Sequence, residues 1–174
     1  MYTNPYNKNK AVKMFYLTTR FNNETLSQNR EICRTNNLSC VYGAPQEMSA
    51  KIFIDARVFV IEMNNERNRI EGIGSMKNRH KTPHSCNFYS NQNFNRYVYI
   101  GKVHICREEL LKENKILVDC LDQILFKGKT HMKRGCGLTS VSPRLFGIEK
   151  CGELDVKDEI VKLFRSDQHI KTID

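Results

Sequence analysis

Basic residues and glycines are concentrated between residues 127 and 150, and together they suit the binding of an anion. Glycines allow backbone N–H groups to approach a bound anion closely, and here they are Gly128, Gly135 and Gly137. Basic side chains can displace counterions from the phosphates of a nucleic acid. Those of this segment are Lys127, Lys129, Lys133, Arg134, Arg144 and Lys150, against one acid, Glu149. We therefore expect the segment to contact phosphates, the alternative being a solvated charged loop.

A second segment, residues 77–96, alternates basic residues with aromatic ones. Its cations are Lys77, Arg79, Lys81 and Arg96, and its aromatic residues are Phe88, Tyr89 and Phe94. Cations that follow a phosphate backbone and rings that stack on bases bind single strands with little sequence preference. We therefore include the four cations in the predicted nucleic-acid interface. In the alternative interpretation, the aromatic residues cover the mouth of a barrel and the loop is solvated.

Histidines and cysteines raise the question of a metal site. His80, His84 and Cys86 are close in sequence, and His104 and Cys106 alternate along a predicted strand, so the two groups could supply a zinc ligand set. However, Cys-x-x-Cys spacing is absent from the chain, and buried cysteine is common in protein cores. We assign no metal ligand and no cofactor.

Cys136 is the strongest candidate for a nucleophile. It lies between two glycines, beside Arg134 and near His131, in an electropositive setting that favours a thiolate. A Cys–His nucleophile also needs an orienting third group and an oxyanion site, and no motif supplies either. We therefore assign no catalytic residue. An enzyme that acts on RNA or nucleotides, using Cys136 or the pair His80 and His84, remains the alternative.

A hairpin between residues 57 and 76 has to position these segments. Residues 58–61 are β-branched or aromatic, residues 64–68 form a polar turn, and the chain then alternates polar and apolar residues up to Gly74. Gly72 and Gly74 interrupt the second strand, which indicates a bulge, a bend or the close approach of another backbone or a ligand.

Two carboxylates lie on the facing strands of this hairpin. We interpret Glu62 and Glu71 as partners of Arg57 or Arg69, not as an acid–base pair for catalysis.

The other elements follow from hydrophobic periodicity and from cap and turn residues. They predict an α+β domain. In chain order they are a strand at 14–19, a helix capped near Asn22, an extended segment at 38–45, a helical turn at 48–53, a strand at 96–105, a helix at 108–126 that Asn114 splits, a strand at 138–141 and a helix from Asp155.

Length and composition predict a single intracellular domain. We expect it to span residues 13–166 of the 174, with a flexible basic tail at 1–12 and a frayed end at 167–174. The chain has 28 Lys and Arg against 19 Asp and Glu, a net charge of +9, which favours a polyanionic partner.

The chain has no long apolar run and no secretory signal, so we expect neither a membrane partner nor export. Seven scattered cysteines favour reduced thiols in the cytoplasm or nucleus.

The order of these segments resembles the PUA-like superfamily, particularly its EVE, YTH and ASCH branches. The resemblance covers residues 14–141 and depends on layout and one hairpin. The segments that carry it are an apolar strand ending in Thr18-Thr19-Arg20, the aromatic-Gly segment Val41-Tyr42-Gly43, the strand at 58–63, the hairpin half Ile70-Glu71-Gly72-Ile73-Gly74 and the strand at 96–105.

This resemblance implies a small curved mixed β-barrel with flanking helices that binds RNA or DNA, often through a pocket for one base. YTH domains build that pocket from tryptophans, and this chain has no Trp. We therefore expect base stacking on Tyr or Phe instead of a methyladenine cage. The residues expected in the pocket are Tyr42, Gly43, Gly72, Gly74 and Tyr89.

The leading hypothesis is thus a nucleic-acid-binding module, with RNA favoured over DNA by the resemblance alone. Two alternatives remain: the enzyme described above, which the ASCH branch makes plausible, and a structural or interaction protein such as a viral component. Clustered basic residues on the folded surface favour the first hypothesis, and dispersed ones favour the last.

Overall fold

The sheet is mixed: it combines one parallel pair of strands with several antiparallel pairs. In the computed structural model, which describes residues 13–147 and 151–165, the strands are β1 (Phe15–Phe21), β2 (Cys40–Ala44), β3 (Arg57–Asn64), β4 (Arg69–His80), β5 (Tyr97–Cys106) and β6 (Thr139–Ser140). Their order is β2-β5-β4-β3-β1-β6, with β1 parallel to β3 and every other pair antiparallel. The predicted tail at 1–12 and the predicted frayed end at 167–174 lie outside the described residues.

The helices are α1 (Asn23–Thr35), α2 (Arg107–Phe126), the short α3 (Pro143–Phe146) and α4 (Val156–Arg165), with a 3₁₀ turn at Gln92–Asn95. None of the described helices is both long enough and apolar enough to cross a membrane. The chain is therefore α+β, as predicted, and its curled sheet forms a half-barrel.

The curl is visible in a contact between distant strands. Since β5 and β4 lie between β2 and β3, a flat sheet would separate β2 from β3 by about 14 Å. Yet the Tyr42 hydroxyl of β2 lies 2.9 Å from a carboxylate oxygen of Glu62 on β3. The sheet must therefore bend toward the face that carries these two side chains, which we call the inner face.

Both faces of β3 are buried, which explains its nearly continuous apolar sequence. Phe59 and Ile61 point to the outer face and pack in one core with α2 and α4. Val58 and Val60 point to the inner face and pack with Leu17 of β1. The half-barrel is therefore filled on its inner side and covered by helices on its outer side.

Cap residues in the sequence predicted the helix ends correctly. The Asn22 side chain accepts a hydrogen bond from the Thr25 N–H at 2.7 Å, as expected of an N-cap. Asn114 interrupts α2 with non-helical backbone angles (φ −153°, ψ 81°) and donates to Glu159 of α4 at 2.7 Å. Asp155 accepts from the N–H groups of Lys157 and Asp158, both at 3.0 Å, and so caps α4.

Two local predictions were wrong. Strand β4 does not give way to a loop near Lys77 but continues to His80, because Asn78 donates its N–H to Ala56 at 2.9 Å and accepts from Asp55 at 3.1 Å. Residues 48–53 form turns instead of a helical turn, with a single i→i+3 hydrogen bond from Ile52 to Ser49. In the first case backbone pairing between distant segments outweighed local composition.

Cys120 and Cys151 form a disulfide that joins α2 to the segment before α4, with their Cα atoms 5.3 Å apart. The prediction that the cysteines are reduced is therefore wrong for this pair. The two residues are 31 positions apart, and only the packing of α4 against α2 brings them together. Local spacing carries no signal for such a pair.

Candidate nucleic-acid interface

A cavity of about 300 Å³ lies where the edges of β1 and β2 approach each other across the opening of the half-barrel. Strand β6 pairs with Leu17 and Thr18, and within residues 13–147 and 151–165 no strand pairs with the end of β1 at 19–21 on that side. Helix α1 and the segment 89–94 form the remaining walls. We call this space the aromatic cavity, because four aromatic side chains line it: Phe21, Tyr42, Tyr89 and Phe94.

Three of the five residues predicted for the base pocket meet in this cavity: Tyr42, Gly43 and Tyr89. Gly43 is required for the arrangement, because a Cβ there would lie 2.5 Å from the Tyr89 ring. The Tyr89 hydroxyl is held by Val41 and Asn29, and burial raises the pKa of this phenol. Its ring is thereby fixed as a wall of the cavity.

The other two predicted pocket residues, Gly72 and Gly74, are located elsewhere. A Cβ on Gly74 would collide with the Tyr42 hydroxyl, and a Cβ on Gly72 would lie 2.7 Å from His104 and 3.0 Å from Glu62. The two glycines therefore leave room for side chains of the inner face and do not line the aromatic cavity. The predicted close approach is real, but what approaches is the protein itself.

Those side chains form a buried network around Glu62, which is fully inaccessible to solvent. One carboxylate oxygen accepts hydrogen bonds from Tyr42 at 2.9 Å and from Arg30 at 3.2 Å. The other is paired with Arg30 and lies 3.1 Å from Nε2 of His104. The network thus ties α1, β2 and β5 to the central strand β3.

The network keeps Glu62 ionised. Burial alone would raise the pKa of this carboxyl, but His104 and Arg30 together lower it to about 2. Burial raises the pKa of Tyr42 well above its usual value, so this hydroxyl stays a donor. With each oxygen contacted twice, Glu62 holds the back wall of the aromatic cavity in place through Tyr42.

The expected partners of the two hairpin carboxylates were half correct. Glu71 pairs with Arg69 at 3.0 Å, as predicted. Glu62 pairs with Arg30 and His104 instead of Arg57 or Arg69. A glutamate within an apolar strand indicates a buried cationic partner, but the sequence does not say which element supplies it.

Arg20 connects the aromatic cavity to the basic, glycine-rich segment. Arg20 is one of the residues that line the cavity, and its guanidinium donates to the carbonyls of Met132 at 3.2 Å and Gly137 at 3.0 Å, and to the Thr139 hydroxyl at 2.5 Å. Gly137 also packs against Ala44, the neighbour of Gly43. We call residues 132–139 the Arg20-held loop. Arg20 thereby joins this loop to the lining of the cavity, and no pattern in the sequence predicts that connection.

The Arg20-held loop carries two of the predicted phosphate-binding residues. Lys133 donates to Asn68 at 2.6 Å and its carbonyl accepts from Asn65 at 2.9 Å, which places it beside the turn between β3 and β4. Arg134 is exposed, and Gly135 and Gly137 have positive φ angles of 114° and 64°. Lys127, Lys129 and Arg144 are exposed in the flanking chain.

The second predicted basic segment does not converge on this loop. Lys77, Arg79 and Lys81 belong to the other end of β4 or follow it, and eight residues of strand separate Lys77 from Arg69 by about 26 Å. Arg96 is exposed just before β5. The predicted interface therefore consists of two basic regions, one beside each end of β4.

The candidate metal and nucleophile residues are dispersed. His80 lies 3.1 Å from Glu47, and His104 belongs to the Glu62 network. Within residues 13–147 and 151–165, no cluster of His, Cys, Asp and Glu could hold a metal ion. Cys136 is exposed, and His131 accepts a hydrogen bond from the Lys133 N–H at 3.3 Å.

Comparison of the chain with protein-family models, with curated proteins and with solved structures returned no match. The similarity to the PUA-like superfamily therefore stays a sequence-based expectation. Its function is inferred from the positions of its own side chains.

Proposed function

We propose that this protein binds single-stranded nucleic acid, with one base in the aromatic cavity and the adjoining phosphates on the Arg20-held loop. The observation that carries the proposal is the position of Arg20, a residue that lines the cavity and whose guanidinium anchors the basic loop. In this proposal a stacking site and a phosphate site lie side by side, which is the design of single-strand binding.

The cavity suits a single base. Its volume of about 300 Å³ lies at the lower end of the range of ligand pockets, roughly 300–1,000 Å³. Tyr89 and Phe94 supply ring surfaces, with their centroids 6.3 Å apart. Gln28 and Asn91 belong to the same lining, and an amide side chain can both donate to and accept from the edge of a base.

The preference for RNA over DNA comes from the resemblance to PUA-like domains, as does the assignment to that superfamily. We retain both as part of the proposal. The basic residues themselves favour any polyanion, because phosphate contacts carry no information about the sugar or base.

The proposal is tested by the double variant Lys133→Ala/Arg134→Ala. Binding of a fluorescent single-stranded RNA is followed by anisotropy at several salt concentrations. We expect affinity at least about tenfold below the parent and a salt slope about two units shallower, since two phosphate contacts are lost.

A matched control removes two cations from the outside of α2, in Lys112→Ala/Lys115→Ala, where both side chains are exposed. It should bind like the parent. Equal affinities for the parent, the control and the Lys133/Arg134 variant would show that the Arg20-held loop does not contact the phosphates.

A further inference from the structure

A second cavity, of about 330 Å³, opens at the far end of β4, and cations surround it. Met76 and Ile100 give it an apolar floor. The cationic residues on its walls come from β3, β4, β5 and the chain just after β4. They are Arg57, Lys77, Arg79, Lys81 and Lys102, and the His80 ring also belongs to the lining. We call it the cationic cavity.

An irregularity between β4 and β5 opens this cavity. Met76 pairs with Gly101, but the next pair is His80 with Tyr99, so residues 77–79 face only one residue of β5. The backbone of Asn78 bonds instead to the loop before β3: its N–H donates to the Ala56 carbonyl, and its carbonyl accepts from the Asp55 N–H. The strands therefore separate at Lys77, and such bulges often re-aim side chains at binding sites.

The charge in the cationic cavity is only partly balanced by the described part of the protein. Arg79 pairs with Asp55 at 2.6 Å and His80 lies 3.1 Å from Glu47. The remaining four cations form no salt bridge with any residue in the described part of the chain: Arg57, Lys77, Lys81 and Lys102.

Two of these cations are also placed where they repel each other. Arg57 and Lys77 are direct cross-strand partners in the β3–β4 register. Like charges opposite each other destabilise a sheet. A bound anion would reduce this repulsion. The arrangement therefore destabilises the free protein, and anion binding restores the lost stability.

We propose that the cationic cavity binds a ligand that carries several linked phosphates, with the apolar floor under an adjoining nucleoside. Two sources share this chemistry: a free nucleoside triphosphate and the 5′-triphosphate end of an RNA. The site is separate from the aromatic cavity and does not depend on the function proposed above. Several cations around one cavity select a dense cluster of negative charge over a single anion such as sulfate.

The first test is thermal unfolding of the full chain with inorganic tripolyphosphate, compared with sulfate at equal ionic strength. Tripolyphosphate should raise the unfolding midpoint of the parent in a saturable way, because it binds only the folded state. The variant Lys77→Ala/Lys102→Ala removes two exposed cations. It should lose most of the shift and, without ligand, unfold at or above the parent midpoint. Lys112→Ala/Lys115→Ala should keep the full shift.

A second measurement separates the two sources. Binding of a nucleoside triphosphate, of a 5′-triphosphate RNA and of the same RNA with a 5′-hydroxyl is measured in the Lys133→Ala/Arg134→Ala background, which weakens binding at the other proposed site. Tighter binding of the 5′-triphosphate RNA than of the nucleotide identifies the RNA end, and equal binding identifies the nucleotide.

The proposal is overturned by either of two results. One is the absence of a saturable shift with tripolyphosphate in the parent. The other is an equal shift in the parent and in Lys77→Ala/Lys102→Ala, provided that the circular dichroism of the variant matches the parent. Neither result affects the Arg20-held loop, whose test uses different residues and a different readout.

Discussion

At the scale of single residues, Glu62 is the side chain on which closure of the half-barrel depends. A buried carboxylate is costly unless it is paired and hydrogen-bonded. Glu62 meets that condition through Arg30, Tyr42 and His104, each from a different element. The network therefore stabilises the fold mainly by fixing where α1, β2 and β5 stand relative to β3.

The variant Glu62→Gln removes the charge and leaves Arg30 without its partner. We expect the free energy of unfolding to fall by about 3 kcal/mol, as when one member of a buried pair is lost. Urea denaturation measures this free energy of unfolding. Asp119→Asn, which breaks an exposed pair with Lys115, is the control and should change stability by less than about 1 kcal/mol. Equal effects of the two variants would contradict the role of the network.

The same residue predicts a pH dependence. The pKa of Glu62 is about 2 in the folded chain, below its usual value of 4.5, so the folded state favours the ionised form. Its contribution is fully present above pH 4.5 and is lost as the pH falls toward about 2; a shift of this size corresponds to about 3 kcal/mol. Urea midpoints at pH 6, 4.5 and 3 should therefore fall more steeply for the parent than for Glu62→Gln. Parallel pH profiles would show that Glu62 does not titrate in this range.

At the scale of elements, the Arg20-held loop has almost no regular structure of its own, and Arg20 of β1 supplies three of the hydrogen bonds that hold it, beside those of Lys133 with Asn65 and Asn68. Arg20 is largely removed from solvent, and burial lowers the pKa of its guanidinium. Three acceptors in the loop compensate, at residues 132, 137 and 139. Long loops held by few contacts open easily, so this anchor decides whether the basic residues stay beside the cavity.

Replacing Arg20 with methionine keeps much of the apolar stem but removes all three anchors. We expect faster hydrogen exchange in residues 132–139 and about tenfold weaker RNA binding, although Lys133 and Arg134 are still present. Hydrogen exchange followed by mass spectrometry gives the first quantity and anisotropy gives the second. The control Arg34→Met removes an exposed arginine of α1 that pairs with Glu31. Unchanged exchange in the loop of Arg20→Met would show that the loop is held by other contacts.

At the scale of the whole molecule, the sequence predicted those features that are determined locally. The hairpin, the Asn22 cap, the break at Asn114 and the start of α4 all follow from turn and cap residues. The α+β class and the curved sheet were also correct in outline. The hairpin, the caps and the break in α2 depend on residues within a few positions of each other, where periodicity and caps are informative. The curvature was expected from the resemblance alone.

Features that join distant segments were not predictable in the same way. The parallel pairing of β1 with β3, the Cys120–Cys151 disulfide and the partners of Glu62 all depend on how the sheet curls. A lone arginine at the end of a strand, such as Arg20, has no pattern that sets it apart. The basic composition of residues 77–80 suggested a loop, although their backbone pairing makes them strand.

The central claim is that a base enters the aromatic cavity while its phosphates lie on the Arg20-held loop. Ultraviolet crosslinking of a bound single-stranded RNA, with the crosslinked peptides identified by mass spectrometry, tests it most directly. We predict crosslinks within residues 89–94 and 132–139, and their loss in Lys133→Ala/Arg134→Ala. Crosslinks confined to α2, α4 or the walls of the cationic cavity would contradict the claim.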